Sequence, residues 1–332
     1  MGDRTGIQWT DATWNPIVGC SIVSPGCTNC YAMKMSDRIE KMTPGSHYAG
    51  TTMRVKGKPV WTSKMAMAPD AILTQPLRWK RPRRVFVNSM GDLFHESVPD
   101  DWIDRVFAVM ALAPQHSFQV LTKRSARMRD YLCTRAGDWV LELSRAVREA
   151  SLVKWADRPD RATPRWPLPN VWLGVSAEDQ RRWEERIPDL KATPATVRFV
   201  SAEPLLGPIV GDISGLDWII VGGESGPGSR PMHPDWARSI RDQCAAAGVP
   251  FFFKQWGDWS VALDRSREDP DWSADYGYKL SRTRPDIAWL NLEGGSGFHG
   301  ERFHVMRRIG KRSAGRLLDG IEHNAMPGGA HA

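Results

Sequence analysis

The sequence predicts an α/β fold, a partial (β/α) barrel with parallel strands and an irregular C-terminal extension. Short apolar runs recur at residues 85–88, 118–121, 171–175, 197–200, 218–221 and 250–253, nearly continuous in apolar character as in strands buried on both faces. Amphipathic helical stretches separate most of them, at residues 100–113, 125–150, 179–192 and 234–247. Strand and helix in alternation argue for βαβ units and a parallel sheet. A chain of 332 residues is long enough to bury a large core in one or two such domains.

The elements follow in order. A further strand is expected before Cys20, in Trp14-Asn15-Pro16-Ile17-Val18-Gly19. A helical pattern covers residues 31–42, with Ala32, Met35 and Ile39 on one face. Residues 43–82 are rich in Pro, Gly and basic side chains and read as an insertion with a short helix near 69–77. Asp100 is expected as a helix N-cap and Gly248 as the glycine that ends a helix. Past Trp259 the pattern fades. Residues 260–300 read as a loose extension or lid, followed by a basic tail carrying Arg302, Arg307, Arg308, Lys311, Arg312 and Arg316. The expected division is a barrel over residues 1–258, with a cysteine loop at 19–31, and an extension over 259–332.

Composition narrows the function. With 45 Lys plus Arg against 38 Asp plus Glu, the net charge of +7 favours an acidic partner such as nucleic acid or a nucleotide. No apolar run is long enough for a membrane span, so no membrane association is expected. The N-terminus lacks the pattern of a signal peptide, and five cysteines make no secreted disulfide framework; a cytoplasmic location is expected. The 16 Trp imply stacking surfaces or a Trp-heavy core.

Cys20-x6-Cys27-x2-Cys30 is the strongest chemical signal. It places three thiols in one loop, with Gly19, Pro25 and Gly26 letting the backbone fold around a centre. Three thiolates with an open fourth position suit a reactive iron–sulfur cluster. Zinc is the alternative, with His47 or His95 as fourth ligand, and three buried free cysteines are the third reading. His116 and His233 read as structural.

The chain resembles the phage-encoded three-Cys-motif protein family, itself similar to radical S-adenosylmethionine enzymes. The residues carrying the resemblance include Ile7-Gln8-Trp9-Thr10-Asp11, Gly19-Cys20, Ser24-Pro25-Gly26-Cys27, Asn29-Cys30-Tyr31-Ala32, Asn88-Ser89-Met90-Gly91-Asp92, Leu121-Thr122-Lys123-Arg124, Ser201-Ala202-Glu203-Pro204, Gly222-Gly223-Glu224-Ser225 and Phe253-Lys254-Gln255-Trp256. The resemblance implies a 4Fe–4S cluster on Cys20, Cys27 and Cys30, with S-adenosylmethionine on the open iron. It also implies that Tyr31 lies near the adenine and that a glycine-rich turn takes the methionine amino group. Six residues lie between the first two cysteines here, where the superfamily has three. Ser89, Gly91 and Asp92 are the preferred turn; Gly222, Gly223 and Glu224 have the superfamily's letters but come late in strand order and serve as a further binding loop.

Polar residues follow the apolar runs, where ligands bind in parallel sheets. Glu178 and Glu203 are candidate acid/base or ribose-binding groups. Lys123 and Lys254 are candidate partners for a phosphate or carboxylate. The expected function is a radical S-adenosylmethionine-type enzyme acting on a nucleic-acid or nucleotide substrate, with or without a separate partner protein. Its rivals are a zinc-stabilised nucleic-acid-binding protein and a metal-dependent nuclease using Asp92, Glu203 and Glu224.

Overall fold

The structure, a computed structural model, describes residues 5–134, 166–263, 284–295 and 303–328. Its largest sheet has seven strands: β1 (Ala12–Trp14), β6 (Arg84–Val87), β7 (Ser117–Thr122), β8 (Val171–Ser176), β9 (Val197–Ala202), β10 (Trp218–Gly222) and β11 (Phe251–Gln255), neighbours in that order. The β1–β6, β6–β7, β7–β8 and β10–β11 pairs are parallel. The order is open, with β1 and β11 at its edges, which is the topology of a partial rather than a closed barrel. β8 and β10 are buried along their whole length, as runs covered on both faces should be.

The helices fall close to expectation. α1 spans Tyr31–Met42, α3 Asp100–Leu112, α5 Gln180–Ala192 and α6 Pro234–Ala247. Gly248 ends α6 in the left-handed region at φ 67°, as a terminating glycine does. Asp100 is not the cap of α3. Pro99 takes that position, and Asp100 opens the first turn, where its charge favours the helix dipole. The helix expected at 125–150 is described as α4 (Ser125–Thr134), and its remainder lies outside the described residues.

Two stretches read as irregular carry strands. Within residues 43–82, β3 (Thr52–Val55) and β4 (Lys58–Trp61) form a hairpin. β5 (Ala66–Met67) pairs with β2 (Ile17–Val18), and the short helices α2 (Asp70–Leu73) and Gln75–Arg78 follow. Near the C-terminus, β12 (Trp259–Leu263), β14 (Phe303–Arg308) and β13 (Ile287–Asn291) form an antiparallel sheet in that order. Residues 264–283 and 296–302 of the expected extension lie outside the described residues.

The chain divides into two compact units. The first holds residues up to Val175 plus Arg186–Phe199; the second holds Ser176–Glu185 and the chain from Val200. Tryptophan serves as core material in both. Trp9, Trp14, Trp61, Trp79, Trp172, Trp183, Trp218, Trp236, Trp256 and Trp259 are buried. Several indole N–H groups donate to backbone carbonyls, Trp14 to Ile72, Trp218 to Ala325 and Trp256 to Leu317. That satisfies the one polar atom a buried Trp must place. These rings do not make an exposed stacking platform.

Candidate functional site

In the first unit the chain leaves β1, forms β2 and passes beside the turn that follows β6. Gly19 and Gly91 form an isolated parallel bridge, and the Gly19 N–H donates to the Met90 carbonyl at 3.1 Å. The cysteine loop therefore starts at the carboxyl ends of two parallel strands. Cβ on Gly91 would stand 2.8 Å from the Ile17 carbonyl oxygen and 3.0 Å from that of Gly19. The glycine is needed so that turn and loop can touch. Asn15 strengthens the same junction: its Oδ1 accepts the Met90 N–H at 2.9 Å and the Ser89 hydroxyl at 3.1 Å.

The three cysteines are electrostatic neighbours. Cys27 raises the pKa of both Cys20 and Cys30, although burial is the main cause for each and pushes the Cys20 thiol up to about 12. Cys30 caps α1, and the backbone N–H groups of Ala32 and Met33 oppose the effect of burial on it. Cys20 and Cys30 pack against a buried group of Val18, Ala32, Met33, Tyr48, Trp61 and Met90. All three thiols are free.

Arg124 stands out in the sequence only as part of the Leu121-Thr122-Lys123-Arg124 string, with no role of its own, and it is the centre of the polar network. Its guanidinium is buried. It donates to Cys20 Sγ at 3.4 Å, Ser21 Oγ at 2.6 Å, Asp92 at 3.0 Å and Glu96 at 3.2 Å. His95 Nε2 meets the same Ser21 hydroxyl at 2.9 Å. The Asp92 carboxylate is fully engaged. One oxygen accepts the Thr122 hydroxyl at 2.6 Å and the Phe94 N–H at 3.1 Å; the other accepts the Lys123 N–H at 3.1 Å and Arg124. Four bonds use the acceptor capacity of a carboxylate, so Asp92 orients Arg124 and the Thr122–Lys123 turn. The side chain of Lys123 is half-buried, and its charge lowers the pKa of Cys30. Tyr31 is exposed, and its hydroxyl donates to the Ser89 carbonyl at 2.9 Å, tying helix start to turn.

His95, a candidate zinc ligand, has both ring nitrogens in use, since Nδ1 accepts the Ser97 N–H at 3.1 Å. His47 stacks on Tyr48 with centroids 4.5 Å apart. Thiolates on one tetrahedral zinc would lie roughly 3.8 Å apart, from a bond of about 2.3 Å. Among the described residues, one group of three places its ligand atoms within 4.8 Å of one another, and it is His233, Asp235 and His304 rather than the cysteines. A cubane distributes its thiolates over different irons and does not require that spacing.

In the second unit the polar strand ends close on themselves. Glu203 pairs with Lys254 at 3.0 Å and accepts the Ser201 hydroxyl at 3.1 Å. Its Oε1 would lie 2.4 Å from a Cβ on Gly222, and a Cβ on Gly223 would collide with the Trp256 carbonyl. Both glycines admit neighbouring parts of the protein. Glu224 is buried and forms a two-pronged pair with Arg230 at 2.7 and 3.0 Å. Glu178 is buried after β8, and its carbonyl accepts the Leu206 N–H at 2.7 Å.

Many of the chain's cations are paired: Arg84 with Asp11, Arg127 with Asp100, Arg129 with Asp130, and, in the basic tail, Arg307 with Asp286 and Arg308 with Asp258. Arg83 lies over the Trp79 ring at 4.9 Å. Lys80, Arg81, Lys311 and Arg312 are exposed, and Arg302 lies outside the described residues.

No helix among the described residues is long and apolar enough to cross a membrane. Comparison with curated proteins and with solved structures gave no match. One family model matches residues 4–327, almost the whole chain, and by that match the chain belongs to the family described as "Protein of unknown function (DUF5131)".

Proposed function

We propose that this protein is an iron–sulfur enzyme of the radical S-adenosylmethionine type, with the cluster on Cys20, Cys27 and Cys30. One observation carries the reading: three free thiols lie on a loop bridged through Gly19 and Gly91 to the carboxyl end of a parallel strand. The donor set suits the group, because soft thiolates select iron–sulfur centres and three leave one iron open. When bound, such a cluster supplies the electron for reductive cleavage of S-adenosylmethionine.

The chain's own residues do the rest. Arg124 donates to Cys20, and the first turn of α1 donates toward Cys30, so the charge of two thiolates is compensated inside a half-buried loop. Asp92 holds Arg124 in place. Lys123, whose charge acts on Cys30, offers an ammonium for the carboxylate of a bound cofactor. The Ser89 and Met90 carbonyls already accept from Tyr31 and Gly19, so the Gly91 carbonyl is the candidate acceptor for its amino group. With Asp92 fully engaged, the charged partner assigned there from sequence is better read as a support. A phosphate-bearing substrate, nucleic acid or nucleotide, is the class the net charge of +7 favours.

Anaerobic reconstitution tests the reading. It predicts about four irons per chain and a reducible cluster signal in electron paramagnetic resonance. Stoichiometric zinc with no iron uptake would contradict it.

A further inference from the structure

We propose that His233, Asp235 and His304 form a second metal site, which takes a divalent ion of the zinc class through two imidazole nitrogens and one carboxylate oxygen. The site is independent of the cysteine loop, since all three residues belong to the second unit. His233 and Asp235 lie at the start of α6, and His304 lies on β14. Sequence offers no link between them, and His233 alone reads as a structural residue.

Three observations carry the inference. One ligand atom from each residue lies within 4.8 Å of the other two. His233 and His304 are 0% and 6% exposed, so this is a built interior group rather than a surface coincidence. The His304 Nε2 to Asp235 Oδ2 separation is 3.7 Å. That exceeds an ordinary N–H···O hydrogen bond and approaches the roughly 3.3–3.6 Å between two ligands about 2.0–2.2 Å from a tetrahedral ion.

The surroundings suit a ligating carboxylate. Asp235 Oδ1 accepts from Arg238 at 3.0 Å, and Arg238 also pairs with Asp319 at 2.7 Å. That outer pair fixes the carboxylate with Oδ2 facing His304, the support that metal ligands commonly have. The two imidazoles meet edge to face, with centroids 4.6 Å apart and planes at 82°. Two imidazoles with one carboxylate favour zinc-class ions over magnesium or calcium, which want oxygen donors.

One cost is visible. His233 Nδ1 accepts the Asp235 N–H at 3.1 Å as the cap of α6. Ligation through Nε2 moves the ring proton to Nδ1 and gives up that bond. The bound ion would pin β14 to the start of α6 and leave a fourth position for water.

Cobalt(II) titration of the full chain tests this apart from the cysteine reading, because thiolate ligation gives sulfur-to-metal charge-transfer bands and nitrogen–oxygen ligation does not. The expected result is one equivalent with visible d–d bands and no charge transfer. His304→Gln should weaken that equivalent by at least the roughly 10–100-fold that even an outer-shell partner carries, and leave any thiolate-bound cobalt unchanged. Asp235→Asn should do the same, with circular dichroism confirming the fold of each variant. Uptake by the unaltered protein only in thiolate-bound form would overturn the proposal, whichever variants fold. So would a folded His304→Gln or Asp235→Asn protein that keeps the nitrogen–oxygen equivalent.

Discussion

At the carboxyl ends of β6 and β7, polar side chains gather around one loop. Asp92, Thr122, Arg124 and Ser21 form a chain of bonds that ends on the Cys20 sulfur. At the carboxyl ends of β9 and β10, similar residue types pair off locally, Glu203 with Lys254 and Glu224 with Arg230. Both regions combine glycine, acid and base after an apolar strand. They differ in what the pairs surround. The first network reaches the Cys20 thiol of the cysteine loop, while the second holds its own backbone in place. Polar residues at strand ends therefore mark a site only when their partners lead to a reactive group.

The largest expected contrast is in iron. Cys20→Ala, Cys27→Ala and Cys30→Ala should each abolish cluster loading, whereas Cys133→Ala and Cys244→Ala should retain it, as read by iron and sulfide content after anaerobic reconstitution. A triplet variant with full iron content would remove that residue from the ligand set.

Stability should separate the two regions next. Arg124→Ala leaves the buried Asp92 carboxylate without its cation, a change worth about 3–5 kcal/mol when a buried pair is broken, and it should also lower cluster loading. Lys254→Ala breaks a more accessible pair, with side chains 20% and 13% exposed. Its cost should be about 1.5–3 kcal/mol, in the range of a hydrogen bond to a charged group, with iron unchanged. Urea denaturation of the reconstituted proteins measures both. Equal costs would mean that Arg124 is no more central than Lys254.

A smaller effect comes from two glycines. On Gly91 a methyl group meets backbone carbonyls of Ile17 and Gly19, which cannot move without the cysteine loop. Gly91→Ala should destabilise by about 1–3 kcal/mol, as overpacking does, and reduce iron loading. On Gly222 the nearest atom is the end of the Glu203 side chain. Gly222→Ala should displace that carboxylate and leave iron content unaltered.

The smallest expected effect is in pH dependence. Burial raises the Cys20 thiol from 9.0 to about 12 in the folded protein without a cluster. A group whose folded pKa is raised contributes its full stability below the unfolded value and loses it as pH rises through the folded one. Stability of the cluster-free protein should therefore fall between pH 9 and about 12. Cys20→Ser should fall less steeply there. Tyr48 and Cys244 titrate in the same window and form the background in both proteins.

Much of this molecule is legible in its sequence, for reasons that differ by element. β6 to β11 are legible because strands covered on both faces leave short, nearly unbroken apolar runs. α1 and α6 are legible from their periodicity, and Gly248 from the left-handed turn it permits. β12, β13 and β14 are not, because their pairing is antiparallel and non-local, across a stretch rich in Gly, Asp and Ser. The cysteines are legible from spacing alone. Arg124 is not, because its partner Cys20 lies 104 residues away and only folding joins them. The Thr-Lys-Arg string directly after an apolar run was the available signal. At Gly91 the space a side chain would take is filled by the protein's own loop, which no local pattern in the sequence reveals.

The measurement that bears most directly on the central claim is 5′-deoxyadenosine release from S-adenosylmethionine by the reconstituted protein under dithionite. Release is expected to depend on all three loop cysteines and to survive Cys133→Ala. A protein with a full cluster that neither binds nor cleaves S-adenosylmethionine would contradict it, and would leave the cysteine loop a structural or redox-sensing centre.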